Sequence, residues 1–245
     1  MVSVSNMFIA ESSRIGKNYT AGYNVIIEDN VIIGDNAIIG HNVVIKRNTR
    51  IGDHAKIQDG AIVGKEAFFT GNPGSSLSSD EEKNPGLVVG NKVLLGTRSI
   101  CYSGSKIDDN VIVADGAIVR EGCHIHTGVR IGKYAIVEWN VILHENVRLQ
   151  AYVLAGEKMT IGINSFLGPH VSTACDKTMG REALVVNPPS IGENVAIGEN
   201  STLFPGVKVG DNSIIGAGSL IMNDVPEAVI VIGREARIIS KVKNK

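Results

Sequence analysis

Residues 25–63 read VIIEDN VIIGDN AIIGHN VVIKRN TRIGDH AKIQDG AIV, and this stretch decides the fold. A large aliphatic residue returns at every sixth position, and the same rhythm runs through most of the chain. One series runs from Ile9 to Phe69, a second from Val89 to Leu167, and a third from Ile191 to Ile221. So strict a period predicts an all-β parallel β-helix, in which each short strand stacks on the strand one full coil away.

The other positions of each hexad predict a triangular prism. If the large aliphatic residue is the first position, the fifth is small or β-branched, as at Val31 and Ala37, so both point inward. The fourth position is Asn in 13 hexads. Asn tolerates the left-handed backbone region, so it marks a corner after each strand. Three hexads make a coil, and the 31 hexads of the three series therefore predict roughly ten coils, a stack of about 48 Å.

Composition and chain ends favour a single domain over residues 1–239, followed by a basic tail at 240–245. A net charge of −1 and 4% aromatic residues argue against a nucleic-acid surface. No signal peptide is recognisable in Met1–Ala10, and no apolar run is long enough for a membrane span. Three cysteines, of which Cys101 and Cys123 fall on inward positions, indicate a reducing compartment, and we expect a cytoplasmic protein.

The rhythm stops at two excursions, residues 70–88 and residues 173–190. The first contains GNPGSSLSSDEEKNPG, and the second reads TACDKTMGREALVVNPPS. Similar sequences follow the two excursions, beginning at Val89 and at Ile191. They are offset by seventeen whole hexads, so matching residues occupy the same hexad position. Either hexads simply resemble one another, or a loop-plus-coil unit was duplicated. Long loops on a rigid repeat are where function usually lies.

The chain from about residue 137 to residue 239 resembles the hexapeptide acyltransferases, most of all the N-acetyltransferases of nucleotide-linked amino sugars. The segments that carry the resemblance are GPHVSTACD (168–176), SIGENVAIG (190–198), LFPGVKVGDN (203–212), IGAGSLI (215–221), NDVPE (223–227) and IGREARII (232–239). The resemblance implies left-handed winding, a homotrimer, and acyl-CoA bound in the groove between neighbouring subunits. It implies acetyl-CoA or another acyl-CoA as donor and no metal cofactor.

Two groups of residues are candidates for binding the donor. Small residues let a pantetheine arm approach strand backbone closely; these are Ala196, Gly198, Ala217 and Gly218. Arg234 and Arg237, after the last hexads, are placed to hold CoA phosphates by charge-assisted hydrogen bonds. Alternatively, the two arginines belong to a solvated basic tail.

Transfer from a thioester needs a deprotonated nucleophile and a donor for the developing oxyanion. His170 is expected to stack above Tyr134 and Tyr152 beside the second excursion, and His144 above His126, because the members of each set are spaced by three hexads. Either histidine is a candidate base. A third possibility is that a sugar amine, once positioned, attacks without a protein base.

Three further residues are candidates near the reacting groups. Asn140 falls where the related amino-sugar enzymes keep a functional Asn, although many Asn residues here share that corner position. We expect Trp139, the single Trp, to be exposed and to pack on a sugar, a nucleotide base or a neighbouring subunit. Asp176 either orients the acceptor amine or is a turn residue.

The sequence thus predicts an acyl-CoA-dependent N-acyltransferase for a nucleotide-linked amino sugar, serving surface polysaccharide or O-antigen synthesis. The alternatives are an O-acetyltransferase for a sugar hydroxyl and a non-catalytic interaction scaffold. A hydratase resembling γ-class carbonic anhydrase needs two histidines about five residues apart and a third two coils away. The histidines at 41, 54, 124, 126, 144 and 170 do not have that spacing, so this reading is discounted.

Overall fold

A computed structural model describes residues 6–67, 85–234 and 237–241. Within these residues every regular element is a β-strand, and the strands form three sheets that close a triangular prism and are parallel except for the last strand. The all-β parallel β-helix expected from the six-residue period is therefore confirmed, and its coils are consistent with left-handed winding.

Each coil contributes one short strand to each sheet. Sheet 1 contains β1 (Met7–Ile9), β4 (Val25–Ile27), β7 (Val44–Ile45), β10 (Ile62–Lys65), β13 (Ile100–Tyr102), β16 (Ile118–Val119), β19 (Ile136–Val137), β22 (Leu154–Ala155), β25 (Ser172–Thr173), β28 (Thr202–Leu203) and β31 (Leu220–Ile221). Sheet 2 contains β2 (Arg14–Ile15), β5 (Ile32–Ile33), β8 (Arg50–Ile51), β11 (Val88–Val89), β14 (Lys106–Ile107), β17 (His124–Ile125), β20 (Ile142–Leu143), β23 (Thr160–Ile161), β26 (Ser190–Ile191) and β29 (Lys208–Val209).

Sheet 3 contains β3 (Thr20–Ala21), β6 (Ile38–Ile39), β9 (Lys56–Ile57), β12 (Leu94–Leu95), β15 (Ile112–Val113), β18 (Arg130–Ile131), β21 (Arg148–Leu149), β24 (Phe166–Leu167), β27 (Ala196–Ile197), β30 (Ile214–Ile215), β32 (Val229–Ile232) and β33 (Arg237–Lys241). The chain passes from sheet 1 to sheet 2, then to sheet 3, and back to sheet 1. We call the corners along these passages edge 1–2, edge 2–3 and edge 3–1.

The described sheets hold 11, 10 and 12 strands, so the estimate of about ten coils was slightly low. One cause lies at Thr173, a polar residue in an inward position that ended the aliphatic series at Leu167 too early. Thr173 is 4% exposed. Its hydroxyl donates to the Leu154 carbonyl at 3.0 Å and accepts from the Gly156 amide at 2.8 Å. The repeat therefore continues through β25.

The core is a column of side chains from the first and fifth hexad positions, and it runs the length of the prism. Ile27, Ile45 and Ile107 are typical large members, and Val31 and Ala37 are typical small ones. Cys101 and Cys123 are buried in this column, as predicted. Burial of so much apolar surface is what holds strands of two residues in place.

The corners adopt the left-handed backbone region at the fourth position, as the Asn pattern predicts. Asn36 has φ 59° and Asn48 has φ 61°. Successive corner amides also bond along an edge: Asn24 Nδ2 donates to Asn42 Oδ1 at 3.1 Å. The Asn residues are thus largely explained by the fold.

Both excursions leave the prism at edge 1–2. The first separates β10 from β11, and the second separates β25 from β26. Most of the first excursion lies outside the described residues. The strands on either side still pair with their regular neighbours, because Val88 pairs with Arg50 and Ser190 with Thr160. The insertions therefore lengthen a corner without interrupting the stack.

At the C-terminal end of the prism, the last two strands pair with each other. β33 pairs antiparallel with β32, joining Ile232 to Arg237 and Val229 to Lys241. The basic tail expected from residue 240 thus begins inside this strand. Among the described residues, no helix is long and apolar enough to cross a membrane.

Candidate functional site

The three candidate catalytic residues lie on three different edges of one prism. Asn140 follows β19 and lies on edge 1–2, His144 follows β20 and lies on edge 2–3, and His170 follows β24 and lies on edge 3–1. Asn140 and His144 belong to the same coil. One copy of the chain therefore does not bring these side chains together.

His170 tops the predicted column of aromatic rings on edge 3–1. Its ring stacks on Tyr152 with centroids 4.8 Å apart and an interplanar angle of 7°. Tyr152 stacks in turn on Tyr134 at 5.4 Å. The predicted column is confirmed, but it lies on a different edge from the second excursion, because strand β25 separates His170 from residue 174. The expectation that the column stands beside this loop was wrong for a single chain.

Among the described residues, a close group of titratable side chains lies on sheet 2 and edge 2–3. His124 and His126 flank the inward Ile125, and their rings stack with centroids 3.9 Å apart. The ring of His144 stacks above His126 at 5.2 Å, as predicted. Asp108 completes one end of the group and Glu145 the other. We call the three histidines and two carboxylates the imidazole cluster.

Carboxylates hold the rings of the imidazole cluster. Asp108 Oδ2 lies 3.0 Å from His124 Nε2 and 3.4 Å from His126 Nδ1. Glu145 Oε1 lies 3.7 Å from His126 Nδ1, and Glu145 Oε2 lies 3.9 Å from His144 Nδ1. A histidine positioned by a carboxylate is the arrangement that general bases use. His144 is the most exposed of the three, with 38% of its side chain accessible.

The cluster also shifts the protonation of its members. Burial favours the neutral form of Asp108, but hydrogen bonds from Lys106 and His124 outweigh it and lower the pKa of the carboxyl group. Burial lowers the pKa of His126, and the neighbouring His124 lowers it further. The cluster therefore favours an ionised Asp108 next to a neutral His126.

Sequence reasoning found the stacking of His126 and His144 but missed His124 and Asp108. The signal was present, because residues i and i+2 of a strand share one face, and residue 126 follows residue 108 by one coil of three hexads. Both rules together bring residues 108, 124 and 126 to one place. Following the coil spacing alone found only the stacked pair.

Asn140 adopts the corner conformation, with φ 55°, and its side chain is exposed. Its coil neighbour at the same corner is Gly122 rather than Asn. Within the described residues its amide group therefore makes none of the amide–amide bonds seen on the Asn edges. This distinguishes Asn140 from most of the other corner Asn residues and leaves its amide available.

Trp139 is buried, with only 5% of its surface exposed, so the expectation of an exposed ring was wrong. The Lys158 ammonium lies 5.0 Å from the ring centroid and helps to cover it. The indole Nε1 has no hydrogen-bond partner among the described residues. A stacking role toward a ligand would require Lys158 to move.

Asp176 binds within its own loop. Its Oδ1 accepts hydrogen bonds from the Thr178 amide and hydroxyl, both at 2.7 Å, and its Oδ2 accepts from the Gly180 amide at 2.8 Å. The bonds from Thr178 and Gly180 lower the pKa of the carboxyl group. This geometry favours the turn role over contact with an acceptor amine.

The neighbouring Cys175 is turned toward edge 1–2, where its Sγ lies 2.5 Å from Glu157 Oε2. Burial and the adjacent Glu157 carboxylate raise the pKa of this thiol to about 12. The thiol is therefore protonated and a poor nucleophile at neutral pH.

The residues expected to bind the donor lie together on sheet 3 and edge 3–1, in the two coils above His170. Ala196 lies on β27 and is half-buried, whereas Ala217 and Gly218 are exposed at the next corner. A Cβ at Gly218 would meet no atom within 4 Å, so the surface there is open. The glycine at position 198 is explained by packing within the fold, because a Cβ there would lie 2.4 Å from the Ala217 amide nitrogen.

The arginines of the C-terminal segment lie at the end of the prism. Arg234 and Arg237 are both exposed, before and at the start of β33. A pocket of about 510 Å³ lies close by, lined by residues 220–226 with Val231 and Ile238. Both side chains are thus exposed to solvent at this end of the prism.

The outer face of sheet 1 is an apolar ladder. Its paired outward residues are Phe8, Ile26, Val44, Ile62, Ile100, Ile118, Ile136 and Leu154. Sheet 2 carries Arg14, Arg50 and Lys106 at the same hexad position, and sheet 3 carries Lys56, Arg130 and Arg148. A continuous exposed apolar face commonly marks a protein–protein contact.

Comparison with known proteins agrees with this architecture. A family model of bacterial transferase hexapeptides (six repeats) matches residues 12–47, and a model of the hexapeptide repeat of succinyl-transferase matches residues 188–222. No curated protein shows a significant match to the chain. Both matched segments are hexapeptide repeats of the kind found in bacterial transferases, which confirms the hexapeptide-repeat part of the resemblance drawn from the sequence.

Several solved structures are similar over nearly the whole chain. LpxA from Bacteroides fragilis, a UDP-N-acetylglucosamine acyltransferase, is 18% identical, with 97% of this chain and 73% of that one covered and a TM-score of 0.50. LpxA from Acinetobacter baumannii is 22% identical, with the same coverages and a TM-score of 0.47. PerB from Caulobacter crescentus, solved with CoA and GDP-perosamine, is 22% identical over 52% of this chain and 56% of its own, with a TM-score of 0.30. The Bacteroides comparison establishes a shared fold.

Proposed function

We propose that this protein is an acyl-CoA-dependent acyltransferase that acts on a nucleotide-linked amino sugar. The observation that carries the proposal is the imidazole cluster, in which three stacked rings and two carboxylates lie on the outside of a rigid repeat. These side chains contribute nothing to the core, because all five occupy outward positions. Both matching family models describe transferases, and the Bacteroides fragilis enzyme with this fold acylates a UDP-linked amino sugar.

His144 is the proposed base. It is the most accessible ring of the cluster, and the Glu145 carboxylate lies 3.9 Å from its Nδ1, beyond hydrogen-bond distance but near enough for electrostatic attraction once the ring is protonated. In the reaction, His144 accepts a proton from the acceptor amine as the amine attacks the thioester carbonyl. When the C–S bond breaks, the imidazolium returns that proton to the sulfur, so that CoA leaves as the free thiol and the acceptor becomes an amide. His170 is the second candidate, because it shares edge 3–1 with the small residues that we propose for the pantetheine arm.

Acetyl-CoA is the proposed donor. Its pantetheine arm would lie along Ala196, Gly198, Ala217 and Gly218, whose small size lets it approach the strand backbone closely, and Arg234 and Arg237 would hold its phosphates. Asn140 would contact the acceptor through its side-chain amide. We propose that the reaction takes place in the cytoplasm and that its product feeds surface polysaccharide or O-antigen synthesis.

A homotrimer packed through sheet 1 would bring Asn140 of one copy toward His170 and the donor-binding residues of its neighbour, whereas His144, on edge 2–3, does not border that face. The apolar ladder of sheet 1 supports the proposal, because it borders both edge 1–2, with Asn140, and edge 3–1, with His170. Copies that pack through this face place residues of different edges across one groove. A closed ring of three copies related by a rotation axis is a common way to satisfy such a surface.

A thiol-release assay with acetyl-CoA and a panel of nucleotide amino sugars tests the function. We expect CoA release that depends on a UDP-, GDP- or TDP-linked amino sugar, and at least 100-fold slower turnover for His144→Ala. His54→Asn is the matched control, because residue 54 is a corner residue with φ 58° on a distant coil. If no sugar nucleotide stimulates CoA release, the proposed function is wrong.

The same assay separates the remaining alternatives. If His144→Ala and His170→Ala both keep full turnover, attack by a positioned amine without a protein base is the better mechanism. An O-acetyltransferase is the second candidate function, favoured by the carboxylate-held imidazoles, because a sugar hydroxyl needs a base more than an amine does. Mass spectrometry of the product distinguishes an amide from an ester.

A further inference from the structure

We infer that Asp108, His124 and His126 bind a divalent transition-metal ion, with Zn²⁺ as the best fit. The metal-binding property is separate from acyl transfer and does not depend on it. It departs from the expectation drawn from the family resemblance, which names no metal.

The donor set is the first argument. Two imidazole nitrogens and one carboxylate oxygen are ligands that Zn²⁺ and its neighbours prefer, whereas Mg²⁺ and Ca²⁺ prefer oxygen ligands only. Asp108 Oδ2, His124 Nε2 and His126 Nδ1 all lie within 4.8 Å of one another. A set of this kind with one position left open is typical of zinc sites that also bind water or a substrate.

The distances are the second argument. Ligand atoms that each lie about 2.0–2.1 Å from a tetrahedral ion lie about 3.3 Å from one another. Asp108 Oδ2 lies 3.0 Å from His124 Nε2 and 3.4 Å from His126 Nδ1. Two of the three edges of the ligand triangle are therefore close to the required length without rearrangement.

The surroundings leave the required atoms available. Lys106 Nζ lies 2.9 Å from Asp108 Oδ1, which occupies that oxygen and directs Oδ2 toward the rings. Glu145 Oε1, 3.7 Å from His126 Nδ1, is in reach of the fourth position or of a bound water. The three ligand side chains are 19–35% exposed, so an ion can enter from solvent.

The fold also fixes the ligands before any ion binds. His124 and His126 belong to one strand segment around the buried Ile125, and Asp108 follows the strand directly below, with Ile107 paired to Ile125. Rigid preorganisation of this kind lowers the entropic cost of assembling a site. The fold brings these three positions together, but none of the three side chains packs in the core, so core packing does not explain why Asp and His occupy them.

Equilibrium dialysis of the purified full-length protein against Zn²⁺, with metal counted by mass spectrometry, tests the inference. We expect about one Zn²⁺ per chain for the wild type and for His54→Asn, and at least tenfold weaker binding for Asp108→Asn and His124→Gln. Co²⁺ should give the visible absorption bands of a four- or five-coordinate site in the wild type and in His54→Asn, but not in Asp108→Asn or His124→Gln. The substitutions lie at outward positions, and circular dichroism checks that each variant is folded.

The outcomes are decisive in both directions. If the wild type binds no more Zn²⁺ than the double variant His124→Gln/His126→Gln, the three residues form only a hydrogen-bonded network and the inference is wrong. No acyl donor or acceptor is present in the dialysis, so failure of the proposed transferase activity leaves this result unaffected. Conversely, an active transferase that binds no Zn²⁺ refutes the metal site alone.

Discussion

At the scale of single residues, the backbone conformation at the fourth hexad position forms the corners of the prism. Its φ values near +55° to +61° hold for Asn36 and for larger side chains such as Lys92 and Tyr152. The left-handed region costs an ordinary side chain about 1–2 kcal/mol, and a β-branched one more. Local strain of this kind is tolerated because the stacked coils on both sides fix the corner.

Asn36→Val should therefore lower the stability of the protein by about 1–2 kcal/mol. The substitution places a β-branched residue at φ 59° and removes the amide bond that Asn36 accepts from Asn18. Thermal melting followed by circular dichroism measures the change. Lys92→Asn, which introduces the favoured corner residue, should leave the melting temperature unchanged or raise it. A neutral Asn36→Val would contradict the corner argument.

The three thiols should be nearly unreactive in the folded protein. Burial raises the pKa of Cys101 and of Cys123 to about 12 each, so little thiolate exists at pH 8. A thiol-specific chromogenic reagent should therefore react slowly with native protein and with all three cysteines after denaturation. Three rapidly reacting thiols in the folded state would contradict the described burial.

Cys175 offers a sharper version of the same test. Besides burial, the Glu157 carboxylate raises the pKa of this thiol. Glu157→Gln removes that charge, so the thiol pKa should fall and the rate of alkylation at pH 8 should rise several-fold. Glu193→Gln, on an exposed corner, is the control and should leave the rate unchanged.

At the scale of elements, edge 1–2 is where the regular coil meets added chain. Two glycines occupy equivalent corners one coil after the excursions, Gly104 with φ 81° and Gly206 with φ 77°. They are the counterparts in the two related segments, at an offset of seventeen hexads. Their surroundings differ, because a Cβ at Gly206 would lie 2.5 Å from Asn187 Nδ2, whereas the nearest atoms to a Cβ at Gly104 are 3.7 Å away.

Gly206→Ala should accordingly displace the second excursion, and Gly104→Ala should not. Both substitutions carry a similar backbone strain of about 1–2 kcal/mol, so Gly104→Ala is a matched control for stability. Limited proteolysis with peptide mapping should show faster cleavage within residues 174–189 in Gly206→Ala only. Equal cleavage in both variants would mean that Asn187 does not hold the loop.

The sequence predicts a feature well where the hexad repeat sets it, and poorly where individual side-chain or turn contacts set it. The stacking of Tyr134, Tyr152 and His170 followed from counting three hexads to a coil, since the core enforces the period. The same count also gives the edge on which Asn140, His144 and His170 each lie, although the sequence expectations did not use it for that purpose. The burial of Trp139 was not predictable from the period, because it depends on how the Lys158 side chain of the next coil folds over the ring. The loop bonds of Asp176 are set by local turn geometry outside the repeat.

At the scale of the whole molecule, one face differs from the other two. Sheet 1 presents aliphatic side chains along most of its length, whereas sheets 2 and 3 interleave them with Lys and Arg. A monomer that exposed this ladder would be prone to associate through it. The proposed trimer therefore depends on the outward residues of sheet 1.

Ile118→Lys should weaken or abolish the assembly, because it places a charge in the middle of the ladder. Analytical ultracentrifugation should show a shift from about three chains to one. Ile32→Lys is the control, since Ile32 is the corresponding outward residue of sheet 2 and is 44% exposed. If the wild type sediments as a monomer, the proposed role of sheet 1 is wrong.

The excursions also bear on how the prism can be altered. Paired residues such as Arg14 and Ile32 are separated by one regular coil of three hexads. The chain from Arg50 to its partner Val88 is about twice as long, and the chain from Thr160 to Ser190 is longer than a regular coil by two hexads. Doubling the length of a loop adds only about 0.6 kcal/mol to the entropic cost of closing it. Edge 1–2 is therefore a natural insertion point, at which peptides or whole domains can be grafted while the coils above and below stay in register.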